Sequence, residues 1–311
     1  MGLDTILMLV QTALELGLIT SLTVLALFLS YSMLNVCDLS TDGCFTLGAS
    51  VGAVVAMSGH PILAIFAAIG AGLLSGFITA FLQTKMGINS LLAGIIVNTG
   101  LYSINIAIMG NTALLNMNKT ETVFTMMKSA LENTIFKDQY KLFVILIAVI
   151  IVLVVLVLFL KTKAGLAIRA TGNNPTMVRS SSLNTVVTTI IGLSIAGSIT
   201  ALSGCLMAQS QKSMDINIGT GILTIALASL LIGRTITGKR GLWTRAIGSV
   251  LGAFIFRLVY TIALRLNMPA FLLKLVSAVI VILAISIPYF IQHSDEIKRK
   301  LSYRFGKKGV N

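Results

Sequence analysis

Leu142 to Leu160 is a run of nineteen apolar residues without one polar side chain, and it limits the chain to folds that contain a lipid-facing helix. At about 1.5 Å of rise per residue the run reaches across most of a hydrocarbon core roughly 30 Å thick. Backbone polar groups have no water to bond in lipid, so the segment must satisfy them internally, as a helix does. The rest of the chain has the same character. Hydrophobic residues make up 56% of the 311 and charged residues 11%, and mean hydropathy is +0.96. At about 20 residues per crossing the length holds eight to ten spans, about nine, and leaves no room for a separate soluble domain. The fold class expected is therefore all-α, a polytopic transmembrane helix bundle over residues 1–290, followed by a basic tail at 291–311.

The net charge of +13 comes from 23 basic and 10 acidic residues spread over loops and tail. Topology explains such a spread, so the partner of that charge is an anionic headgroup surface and not nucleic acid. Cys37, Cys44 and Cys205 are odd in number and lack a CxxC spacing or a neighbouring His, which points to packing and not to a disulfide framework or a metal site. No Lys or Arg occurs before Lys85, so no cleaved signal peptide is expected.

The polar stretch 161–185 lies between two apolar runs and does not belong in lipid. Gly172 can end a short helix, Asn174 can cap the next, and Pro175 falls at that helix's first position, where a missing N–H costs nothing. The residue before a proline is biased toward extended backbone, so Asn173-Asn174 reads as a sharp break. Lys161, Lys163, Arg169 and Arg179 have no acid among them, which puts the stretch in the cytoplasm. By the same bias the tail, with Lys298, Arg299, Lys300, Arg304, Lys307 and Lys308, is cytoplasmic.

The run from Arg169 through Gly172, Asn173 and Asn174 to Pro175 resembles the cytoplasmic coupling loop of the permeases of ATP-binding-cassette importers, in the branch for branched-chain amino acids and simple sugars. Gly219 to Gly252 is similar to the same family over its length, and Asp38-Leu39-Ser40 resembles an element that follows its first core span. The resemblance implies a type II importer permease fold in a bacterial inner membrane, and a short helix that docks into a separate ATPase. Arg169, Gly172, Asn173, Asn174, Pro175, Met177, Arg179 and Leu183 would form that contact. It further implies a second permease copy, an extracytoplasmic solute-binding protein, and ATP and magnesium held by the ATPase, with no cofactor in this chain. Sugar permeases carry a glycine pair where this chain has Gly233-Arg234, and its turn 237–241 is basic. Both departures favour the amino-acid branch, including permeases linked to tryptophan or tyrosine uptake, over sugar or nucleoside carriers.

Residues 5–35 form a long apolar stretch holding Gln11 and Glu15, which share a helical face. Asp38, Ser40 and Asp42 follow without a compensating base, which reads as a helix break buried in protein. Gly48 and Gly52 then supply a GxxxG, and Gly72 and Gly76 a second small-residue pair, where backbones can approach closely. Asn98, Tyr102 and Asn105 are spaced four and three apart and form one stripe, facing either other helices or a translocation path. Arg257 lies deep in an apolar run with Tyr260 a turn further on. It either receives a solute carboxylate or pairs with Glu15 or backbone carbonyls. Residues 110–140 are a charge-balanced connection that fits the outer face, and Asn267-Met268-Pro269 makes an outer turn before a last span, carrying Lys274, to Pro288.

The chain has no GxxxxGK[ST] loop, so it does not bind ATP by that means. Coupling to an ion gradient would ask for mid-membrane carboxylates, and Glu15 and Asp38 make a thin case. A stand-alone secondary transporter is the competing class. An enzyme is the weakest, because His60 and His293 have no partners at a recognisable spacing. The reading is a non-catalytic permease subunit for a small solute.

Overall fold

A computed structural model describes residues 3–130, 139–238, 241–265, 275, 278–283 and 286. The turn at 267–269, Lys274, the last span to Pro288 and the tail 291–311 with His293 lie outside these or almost wholly so. Among the described residues six helices are long and apolar enough to cross a membrane, and two more are apolar but short. Over the described residues the bundle is all-α apart from two three-residue strands.

Helix α1 (Leu3–Leu27) widens into a π-helical turn at Phe28–Met33, then breaks. Asn35 takes a left-handed backbone (φ 57°) and turns the chain. The buried Asp38 carboxylate accepts from the Ser40 backbone N–H (2.9 Å) and from its hydroxyl (2.6 Å), and so shapes the turn that starts α2 (Thr41–Met57). The expected buried helix break is therefore present. Its buried carboxylate and hydroxyl are bonded locally, and the Thr41 hydroxyl donates to the Asp38 carbonyl at 2.8 Å, as a break away from water requires.

Helix α3 (Pro61–Thr84) opens on a proline, as its sequence predicts, and α4 (Ser90–Ile108) is capped by Asn89, which accepts from the Leu91 N–H at 3.0 Å. Strand β1 (Leu114–Asn116) and helix α5 (Val123–Ala130) follow, within the connection read from sequence only as polar. Helix α6 (Tyr140–Lys161) is the nineteen-residue run with short extensions. Next come α7 (Lys163–Asn173), α8 (Pro175–Ser180), α9 (Thr185–Gln211), β2 (Ser213–Asp215), α10 (Ile222–Thr237) and α11 (Leu242–Arg265). Strands β1 and β2 pair antiparallel, with Leu115 opposite Met214.

The core is a layer of α2, α9 and α3 packed through glycines. A Cβ on Gly48 would strike the Ala201 backbone, and one on Gly52 the Cys205 side chain. On the same face of α9, Gly72 and Gly197 meet backbone to backbone, and Gly76 lies against Leu193. Both small-residue pairs read from the sequence thus seat α9, which lies in the groove between α2 and α3. Cys44 and Cys205 are buried in this layer, with the Cys44 thiol 3.3 Å from the Gly197 carbonyl, so packing is their role.

The bundle has two distinct ends. One carries β1, β2 and α5, tied down by Gln209, whose Oε1 accepts from the Val123 N–H at 3.0 Å. The other carries Lys85 and the α7–α8 elbow, and Lys161 and Arg245 sit over the rings of Trp243 and Phe28 at 5.6 and 5.8 Å.

Candidate functional site

Two short helices begin inside the bundle at one place. With 17 residues α2 is about 25 Å long, and with 16 α10 is about 24 Å, so neither crosses a 30 Å core alone. Helix α2 runs from this point to the strand-bearing end and α10 to the basic end. Helix α10 starts at Gly221 (φ 85°), which has no side chain to cap it. Asp42 does so from α2: its carboxylate accepts from the Gly221 N–H at 3.0 Å and the Leu223 N–H at 2.7 Å. The carboxylate also complements the positive end of the α10 dipole. Gly219 closes the joint, since a Cβ there would strike the Asp42 carbonyl and the Thr46 hydroxyl.

A cavity of about 410 Å³ opens beside this joint. Asp42, Gly43 and Thr46 form one wall, Asn98, Thr99, Tyr102, Ser103 and Asn105 a second, and the lead into α10 (Ile216, Asn217, Gly219, Thr220) a third. Asn98 is eight residues into α4, about 12 Å from its start, so the cavity lies near mid-depth. The stripe of Asn98, Tyr102 and Asn105 is therefore brought together on one cavity wall. Asn105 is 1% exposed and also staples helices: its amide donates to the Gly43 carbonyl at 3.4 Å and accepts from Ser50 at 3.4 Å. Tyr102 is 52% exposed.

The other pathway candidates lie elsewhere. Asp38 and Ser40 belong to the break preceding α2, where Thr79 donates to the Ser40 hydroxyl at 3.2 Å. Arg257 lies against α1, its Cβ beside Gly17, and its guanidinium sits 5.4 Å from the Tyr260 ring centre. Neither Glu15 nor any other carboxylate among the described residues pairs with Arg257, and its Nε has no hydrogen-bond partner there. Glu15 instead accepts from Gln11, one turn earlier, at 3.3 Å. Sequence reading missed Asp42, Thr99, Ser103, Asn217 and Thr220 as cavity residues. The usable signal for Asp42 was a helix start made of Gly219-Thr220-Gly221 with no capping side chain of its own.

At the basic end Thr162, Asn174 and Asn184 cap α7, α8 and α9 in turn. Asn174 accepts from the Met177 N–H at 3.0 Å, and Pro175 takes the first helical position, as the sequence predicts. Helix α7 runs one residue past Gly172, which does not end it. Gly172 serves instead as a contact, because a Cβ there would strike the Met33 carbonyl at the end of the π turn. Val178 is buried and pins α8, while Met177 and Leu183 are 67% and 46% exposed. Asn173, Asn174, Pro175 and Arg179 are exposed as well, whereas Arg169 is half-buried. Arg179 donates from Nε to the Thr185 hydroxyl at 3.2 Å, so the elbow is held in shape while its outer face stays free of the bundle. Asn174→Ala is expected to destabilise α8 by about 1 kcal/mol through loss of the cap, measured as faster amide exchange at Met177 and Val178.

A solute-sized polar cavity at mid-depth, walled by broken helices, is what the membrane component of a transporter requires. Residues 9–285 match the family described as the permease component of the branched-chain amino acid transport system. The chain belongs to this family, the permeases of ATP-binding-cassette importers, whose members work with ATPase subunits and solute-binding proteins. It is 33% identical to the tyrosine transport system permease protein of Clostridioides difficile over 86% of each chain. To an uncharacterised protein of Rickettsia prowazekii it is 32% identical, over 88% of this chain and 96% of that one. The ribose import permease of Escherichia coli K12 is 29% identical over 40% of this chain and 38% of its own. No solved structure matches.

Proposed function

We propose that this permease passes an amino acid inward through the cavity between α2, α4 and the lead into α10, driven by an ATPase docked on the α7–α8 elbow. The observation that carries the coupling is the seat of Gly172 on Met33. Met33 ends the first spanning segment, and the break after it leads within about ten residues to Asp42 and the cavity wall. A push on the elbow therefore bears on the wall through the break at 34–40, which Gly172 also touches at Leu34 and whose turn the Asp38–Ser40 bonds hold in shape. The amino-acid reading is supported by the tyrosine transport permease, which is similar over most of both chains, where the ribose permease is similar over less than half.

The elbow residues divide into two tasks. Asn174, Pro175 and Gly172 set its shape and seat, and exposed Met177 and Leu183, with Arg179 beside them, face the ATPase cleft. ATP and magnesium belong to that subunit. The concentration of Lys and Arg at this end supports a cytoplasmic elbow, and with it a cytoplasmic tail in a bacterial inner membrane. Thr99, Tyr102 and Ser103 line the cavity and are exposed on α4 at membrane depth, so a second copy of the chain closes the open side of that space against lipid and leaves the residues facing its interior.

Met177→Glu with Leu183→Glu places two acids on the docking face. The double variant is expected to lose co-purification with the ATPase, and to lose uptake more than about tenfold, at unchanged permease level. Unchanged co-purification would sink the docking assignment. Uptake in vesicles that survives without the ATPase and stops when the ion gradient is collapsed would replace the whole reading with a secondary transporter.

A further inference from the structure

We infer that Asp42 is the residue that makes the cavity select a solute carrying an ammonium group, an inference that rests on the amino-acid reading above. Among the described residues lining the cavity, Asp42 is the sole charged side chain. The remaining polar groups there are amides, hydroxyls and backbone, so the electrostatic character of the space is set by one carboxylate at mid-depth. A negative charge in a partly enclosed, low-dielectric space attracts a cation far more strongly than it does in water. It repels a carboxylate that brings no ammonium with it.

Capping α10 does not exhaust Asp42. Each carboxylate oxygen accepts one backbone N–H, and each has room for a second donor. The residue is half-buried and forms part of the cavity wall. The two helix contacts fix its rotamer, so a cation meets a preorganised acceptor. Across the cavity α4 offers Asn98, Tyr102 and Ser103, neutral donors suited to a solute carboxylate, while the Thr99 hydroxyl donates to the Ile95 carbonyl at 2.9 Å. A zwitterion spans the two walls with its ammonium on Asp42. Arg257, the other ionic candidate, is packed against α1 and is not among the residues of this space.

The test uses the full chain co-expressed with its ATPase in membrane vesicles, with Cys37→Ser to clear the half-buried thiol and Thr99→Cys as a reporter on the cavity wall. Cationic and anionic methanethiosulfonates of similar size are compared, each rate corrected for reaction with a free thiol. With Asp42 present the cationic reagent is expected to react about tenfold faster. Tyrosine and its decarboxylated amine should slow labelling, and the desamino acid of the same shape should not. Asp42→Asn, which keeps one of the two acceptors of the α10 cap, is expected to bring the rate ratio near one and to abolish protection by the amines. Asp42→Glu, which keeps the charge, should retain a cationic preference. A ratio unchanged in Asp42→Asn overturns the inference. So does protection by the desamino acid equal to that by tyrosine, which leaves the amino-acid reading standing. Absence of protection by these three solutes and by each of the other common amino acids overturns both.

Discussion

A permease carrying Gly172→Leu is expected to keep its ATPase bound and to lose ATP-driven uptake by more than about tenfold. The reason is geometric. Helix α7 approaches the π turn so closely that even a methyl group at residue 172 would strike the Met33 carbonyl and crowd Leu34. A leucine must lift the elbow from its seat, at a cost of about 1–3 kcal/mol by the usual penalty for overpacking. The face proposed for docking, on α8 and the turn after it, is exposed and separate from that contact, so on this proposal the ATPase still finds Met177 and Leu183. What fails is the transfer of its movement to the segment before Asp42. Uptake and ATPase co-purification should be measured on the same vesicles, with Gly172→Ala as the milder member of the series. Normal uptake in the leucine variant would mean that force reaches the cavity by another route.

Gly72→Leu is expected to destabilise the bundle more than either elbow substitution, Asn174→Ala or Gly172→Leu, by about 3 kcal/mol or more. Gly72 and Gly197 pack reciprocally, each filling the space a side chain on the other would need, and Ala201 closes the same gap. Helix α9 is backed on its opposite face by α1, where the Ser203 hydroxyl donates to the Ile19 carbonyl at 2.7 Å, so it cannot move away to make room. Gly70, two residues earlier on the same helix, has nothing within 4 Å of its Cβ position, and Gly70→Leu should change stability by no more than about 0.5 kcal/mol. Thermal unfolding of the two variants in detergent, followed by size-exclusion of the folded fraction, would read the contrast. Equal midpoints would show that the α3–α9 contact is not as tight as its backbone spacing implies.

Local patterns carried much of this fold. The glycine spacings at Gly48 and Gly52 and at Gly72 and Gly76 announced close helix contacts, because only a missing side chain permits them. The caps at Asn174 and Pro175 depend on neighbours two or three residues away and were legible for the same reason. Features that need a distant partner were not. Strand β1 exists because Asn116 meets Ser213, and nothing in either short segment announces the other. The Asp42 cap on α10 joins positions about 180 residues apart, and from sequence its acid was only an oddity in a break. Arg257 shows the converse limit: sequence gives its depth in an apolar run, whereas its stacking on Tyr260 and the absence of Glu15 beside it depend on helix rotation. Of the candidate pathway residues, the α4 stripe gathered on one wall because helical period alone groups it. Asp38, Ser40 and Arg257, grouped only by polarity, went to different places.

Strand β1 follows α4 after a short turn, and β2 stands just before the descent into α10. Their ladder therefore clasps two walls of the cavity from above. A shift of either strand would tilt both walls in one stroke, so the end of α4 and the lead into α10 move as one body.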